Sequence, residues 1–215
     1  MSGPSDKSRL RIDRKRLLIV EGRDEELFFV ALLEGHLGRT DVQVLGVGGK
    51  TQIARNLQAL VRDPGYGALE AIAIVRDADL TAAECSEPAA RGAWKSVTDA
   101  MARARIPVPS QHAVFVQSTP RTGVFILPDG QHDGMLETLC VKSIEEEPAY
   151  SCLQRYFDCL TEQGIPQKRR DKGLAHAYLA SRPEPDKRVG EAAQAGYWPW
   201  ESPAFASVIA FLRAL

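Results

Sequence analysis

Apolar residues run unbroken in two short stretches, Leu17-Leu18-Ile19-Val20 and Ala71-Ile72-Ala73-Ile74-Val75, and both stretches end abruptly in charge. Glu21-Gly22 follows the first and Arg76-Asp77-Ala78-Asp79 follows the second. Short Ile- and Val-rich runs bounded by polar residues predict strands of a parallel sheet covered on both faces. Leu27, Phe28, Ala31 and Leu32 keep helical spacing, which predicts a helix over about 24–37 with Asp24 as its N-cap. Residues 42–47 read as another strand, followed by Gly48-Gly49-Lys50-Thr51 and a helix to about Arg62.

After the Asp77-x-Asp79 run the pattern predicts a helix over about 91–105, closed by Ile106-Pro107-Val108-Pro109. Residues 112–117 and 123–127 read as two further strands, with Pro120 and Gly123 turning between them in a hairpin arrangement. The polar turn 128–134 leads into a helix that opens at Met135-Leu136-Glu137. From Pro148 onward the pattern is helical, over about 148–163, 171–181, 187–195 and 203–214. The organisation expected is a basic arm (1–15), an α/β domain with a mainly parallel, Rossmann-like sheet (16–147) and a helical C-terminal extension packed on it (148–215).

In such sheets ligands bind beyond the carboxyl ends of the strands. Glu21, Asp77 and Asp79 all fall there, and residues 77 and 79 of an extended segment point the same way. Carboxylates converging on one edge repel one another unless a cation lies between them, and hard oxygen ligands suit Mg²⁺ or Mn²⁺. Glu25 follows Glu21 by one helical turn; it reads equally as a further ligand or as compensation of the helix dipole. Glu137 reads as another ligand or as a residue that orients one. Gly48 and Gly49 at a helix start, with Lys50, form a candidate phosphate-binding turn, although the spacing is not that of a Walker A loop. In the run 168–172 a lysine carried to this edge would neutralise charge on a pentavalent phosphorus. His132 reads as an exposed loop residue, and Tyr197-Trp198-Pro199-Trp200 as packing of the C-terminal helices rather than a base-stacking platform.

Composition narrows the class. The 215 residues are 44% hydrophobic with net charge −1, ample for a core and opposed to a surface coated in positive charge. Lys7, Arg9, Arg11, Arg14 and Lys15 make the N-terminal arm basic; a solvated terminus accounts for them better than phosphate contact does. The cysteines Cys85, Cys140, Cys152 and Cys159 show no zinc spacing. Cys152 and Cys159, roughly 10 Å apart along one helix, cannot bridge. Reduced, mostly buried thiols in a soluble cytoplasmic protein are expected. No apolar run approaches the ~20 residues of a membrane span.

With Val20-Glu21-Gly22, Asp77-x-Asp79 and this strand–helix order, residues 16–127 resemble a toprim domain, the metal-binding α/β module of topoisomerases, bacterial primases, RecR-type mediators and overcoming-lysogenization-defect (OLD) nucleases. The stretches beginning Val20-Glu21-Gly22-Arg23-Asp24-Glu25, the Leu127-Pro128-Asp129 turn before Gly134-Met135-Leu136-Glu137, and Asp171-Lys172-Gly173-Leu174-Ala175-His176 resemble, over residues 16–213, a small stand-alone bacterial toprim-like family of uncharacterised function. The resemblance implies a toprim fold, with Glu21 as the toprim glutamate and Asp77 and Asp79 as its DxD pair. The spacing of Glu25 is similar to a second metal-binding glutamate of the OLD nucleases, and Lys172 is the candidate for their downstream lysine. It implies Glu21, Asp77 and Lys172 as catalytic residues.

Three functions fit. The first is Mg²⁺- or Mn²⁺-dependent phosphodiester hydrolysis of DNA or RNA. The second is a non-catalytic nucleic-acid- or partner-binding module that keeps the metal site, and the third a small-molecule phosphoesterase. Nucleic acid is the expected partner and no membrane is; a homodimer or a partner protein is left open.

Overall fold

The two apolar runs lie side by side as the central strands of one sheet. The computed structural model describes residues 11–80 and 87–215, so Lys7 and Arg9 of the basic arm and Cys85 lie outside the described residues. The strands are β1 (Arg16–Val20), β2 (Val42–Gly46), β3 (Ala71–Asp77) and β4 (Arg121–Leu127). The helices are α1 (Arg23–Val30), α2 (Ile53–Leu60), α3 (Ala89–Arg103), α4 (Leu136–Ser143), α5 (Pro148–Glu162), α6 (Arg170–Ala180), α7 (Val189–Gln194) and α8 (Ala206–Ala214). Among the described residues the sheet order is β2-β1-β3-β4 and every pair is parallel. The fold is α/β, a parallel sheet flanked by helices with further helices at the C-terminal end.

Because side chains alternate across a strand, each run feeds two cores. Leu18, Val20, Ala71, Ala73, Val75, Phe125 and Leu127 face a cluster that takes in α1 and α4 through α8. Leu17, Ile19, Ile72, Ile74, Val124 and Ile126 face the smaller cluster built with α2 and α3. The first core is aromatic: Trp198 stacks on Tyr178 with ring centroids 5.5 Å apart, and its indole N–H donates to the Val189 carbonyl at 3.0 Å. The Tyr197–Trp200 stretch thus packs the C-terminal helices, as its sequence predicts.

Several local expectations change. Residues 112–117 form no strand; their backbone bonds β4 at two points, Ala113 N–H to Val124 O and Val116 N–H to Thr122 O, both 2.9 Å. Ala113 has φ of 59°, which interrupts the extended path, and β4 pairs with β3 rather than closing a hairpin. Gly22, extended at φ −146°, is the N-cap of α1, so Asp24 falls inside the first turn. The helix then widens into a π turn over Ala31–His36, closed by Leu37 N–H to Leu32 O at 3.0 Å. Cys140 is buried, but Cys152 and Cys159 are exposed on α5, which corrects the expectation of mostly buried thiols; all three are free.

Candidate metal centre at the carboxyl edge of the sheet

β1 and β3 are in register from Arg16↔Ala71 to Ile19↔Ile74, so Glu21 leaves the sheet next to the last residues of β3. The Asp77 N–H donates to Glu21 Oε1 at 3.3 Å. Asp77 ends β3 opposite Leu127, and its Oδ1 accepts the first N–H of α4, from Leu136, at 3.0 Å. Two residues on, Asp79 exchanges backbone hydrogen bonds with Gly134 at 2.9 and 2.8 Å. That bridge folds the 128–134 turn over the strand ends and delivers Glu137, in the first turn of α4, to the same edge.

Glu25 arrives by a different route. The β1–α1 turn is tight, with Glu26 N–H bonded to Gly22 O at 3.0 Å. A Cβ on Gly46, at the end of β2, would stand 2.9 Å from the Gly22 carbonyl oxygen, so only glycine lets β2 finish this close to the turn. From the far side Gly190 of α7 lies against the backbone of Asp24, where any Cβ would collide with the Asp24 carbonyl and, at 2.8 Å, with Leu27. Arg188 reaches Asp24 Oδ2 at 2.7 Å. The N-terminus of α1, and Glu25 with it, is therefore clamped between the sheet and α7.

The five acids act on one another. Burial raises the Glu21 pKa; Arg76 lowers it, while Asp79 and Glu25 push it up. Burial likewise raises Glu25, opposed by backbone N–H groups and helped by Asp24 and Glu137. Asp77 stands well above the ordinary aspartate range, first through burial and then through the charges of Glu21, Glu25 and Glu137. Each acid also has a cationic or backbone partner. Arg76, with 10% of its side chain exposed, lies 3.5 Å from Glu21; Lys50 is 2.6 Å from Asp79 Oδ2; Lys172 is 3.1 Å from Glu137 Oε1. Among the described residues no three His, Cys, Asp or Glu side chains are gathered to hold a metal ion as they stand.

The donor set nevertheless fits a hard divalent cation. It is all carboxylate oxygen, it is part-buried, and the mutual repulsion of Glu21, Glu25 and Asp77 is what such a cation would relieve. Of the candidate phosphate turn, the Gly49 N–H is committed to the Glu21 carbonyl at 2.6 Å, and Lys50 points to Asp79. Lys172, in the first turn of α6, is the lysine of the basic run that reaches this edge. His132 is exposed, its Nδ1 2.9 Å from Asp129 Oδ2, and contributes nothing to the cluster.

The family described as a protein of unknown function (DUF3226) matches residues 15–215. The chain belongs to that family. No curated protein matches the chain. One solved structure is similar, the C-terminal region of the OLD protein of Xanthomonas campestris pv. campestris. It shares 13% identity, with 93% of this chain and 98% of that chain covered and a TM-score of 0.39.

Two features of the DUF3226 site escape a reading of the sequence. Arg76 is legible only as the lone cation at the end of an apolar strand; that it lies against Glu21, with its Nη1 donating to Ala93 O at 3.3 Å, depends on α3. The Arg188–Asp24 pair joins residues 164 positions apart, and nothing local signals it.

Proposed function

We propose that this chain is a divalent-metal-dependent phosphodiesterase of the toprim type that cleaves nucleic acid. The observation that carries the reading is the convergence of Glu21, Glu25, Asp77, Asp79 and Glu137, from three separate strand–helix junctions, on one end of a parallel sheet. Those five carboxylates would hold Mg²⁺ or Mn²⁺. When bound, such a cation polarises a phosphodiester and lowers the pKa of a water. Asp77 would be the central donor, its carboxylate fixed through Oδ1 by the Leu136 N–H. The backbone of Asp77 in turn orients Glu21. Lys172 and Lys50 flank the acids and supply positive charge for phosphate oxygens as the pentavalent arrangement forms.

The test is cleavage of labelled single- and double-stranded DNA and RNA with Mn²⁺, Mg²⁺ or EDTA, with wild type and Asp77→Ala side by side. Metal-dependent cleavage by wild type that disappears in the variant supports the proposal and names the substrate. Absence of cleavage by a wild-type chain that binds Mn²⁺ favours a binding module or a small-molecule phosphoesterase instead.

A further inference from the structure

Among the described residues three cations pair with these acids, and they are not alike. Arg76 is almost fully buried and tied to the Ala93 carbonyl, so it is a permanent counter-charge to Glu21. Lys50 and Lys172 have 49% and 43% of their side chains exposed and hold their acids through a single ammonium contact each. Lys50 comes from the turn before α2, which packs on one face of the sheet, and Lys172 from α6, which packs on the other. Half-exposed lysine–carboxylate pairs are weak, and the flexible four-carbon stem lets the ammonium swing away.

The carboxylates they occupy matter to the cluster: Asp79 acts on Glu21, and Glu137 acts on both Asp77 and Glu25. An ammonium 2.6 Å from Asp79 Oδ2 repels a divalent cation brought to the same carboxylate and competes with it for that negative charge.

Resting on the metal reading above, we infer that Lys50 and Lys172 are built-in counter-ions of these carboxylates, and that binding of a divalent cation displaces both. The displacement does two things at once. It completes the carboxylate set, and it releases two ammonium groups on either side of the cation, where the oxygens of a phosphodiester would arrive. Metal and phosphate binding then reinforce each other, since whatever frees the lysines favours both.

The experiment is amine footprinting of the full chain with an acylating reagent, read by mass spectrometry with and without Mn²⁺, beside calorimetric Mn²⁺ titration of variants. With Mn²⁺, acylation of Lys50 and Lys172 rises several-fold, whereas Lys95, paired with Asp99 on α3, does not change. Lys50→Met and Lys172→Met each bind Mn²⁺ about tenfold tighter than wild type, because a competitor for the ligand oxygens is gone. Lys142→Met, which removes the same charge from a residue 3.8 Å from Asp129, changes the affinity less than twofold and separates displacement from a general field effect. If wild type binds Mn²⁺ while labelling of the two lysines stays flat and neither variant binds tighter, this inference fails and the metal reading survives. If wild type binds no Mn²⁺, both fail.

Discussion

The two ends of the sheet treat charge in opposite ways. At the amino end, Arg39 grips Asp41 with two hydrogen bonds of 2.7 and 2.9 Å, and Arg16 adds a third at 2.6 Å. Lys15 and Arg16 reach Glu70 at 3.2 and 3.5 Å, and Arg14 pairs with Glu34 at 3.3 Å. The Arg39 hydrogen bonds hold the Asp41 carboxyl far below its ordinary range. At the carboxyl end, five acids face Arg76, Lys50 and Lys172, and Glu21, Glu25 and Asp77 are all pushed upward. One chain, on one set of strands, matches its charges where they only support the fold and leaves an excess of negative charge where ligands bind in such sheets.

The largest effect that sharpens the contrast is on cleavage. Asp77→Ala removes at least 100-fold of metal-dependent activity, while Asp41→Ala at the other end leaves the rate per folded molecule within twofold, as gel cleavage assays will show. Next comes the clamp on α1. Gly190→Val drives a branched side chain into the Asp24 carbonyl and should cost about 2–3 kcal/mol by urea denaturation, the range of overpacked contacts. The same substitution weakens Mn²⁺ binding, because Glu25 sits on the displaced turn.

Smaller effects differ in sign between the two ends. Asp77→Asn keeps an acceptor for the Leu136 N–H but removes the crowded charge. In EDTA it should raise the unfolding midpoint by a few degrees, the size of a ~1 kcal/mol gain in a chain of this length. Asp41→Asn loses a half-exposed, screened network and lowers stability by about 1 kcal/mol or less, an effect that shrinks in high salt.

The pH dependence follows the same division. Raised carboxylates bind protons more readily in the folded chain than in the unfolded one, so their contribution to stability is full below their ordinary range near ~4 and is lost as pH rises through the raised values. Calorimetric midpoints measured in EDTA therefore climb as the pH is lowered from 7 toward 5, and Asp77→Asn flattens the climb. Asp41, with its lowered value, works the other way, and its contribution is lost as pH falls below about 4.

How far these features are legible in the sequence depends on how local they are. β1 and β3 stand out because unbroken apolar runs ending in acid leave few alternatives, and α5 through α8 follow from helical composition interrupted by Gly164-Ile165-Pro166 and Arg182-Pro183-Glu184-Pro185. The positions of Glu21, Asp77 and Asp79 at a strand end follow from the same runs. What the sequence leaves unread is long-range or conformational. Lys50 meets Asp79 across 29 residues, and Arg188 meets Asp24 across 164. Residues 112–117 look extended by composition, yet the left-handed Ala113 breaks them. Cys152 and Cys159 read as buried because cysteine usually is, but they fall on the outer face of α5.

The most direct test of the central claim is calorimetric titration of Mn²⁺ into wild type, Asp77→Asn and Asp41→Asn, each confirmed as folded by circular dichroism. The account predicts saturable binding by wild type, the same binding by Asp41→Asn and none by Asp77→Asn. A folded wild-type chain that binds no Mn²⁺, or an Asp77→Asn variant that binds it as tightly as wild type, would contradict it.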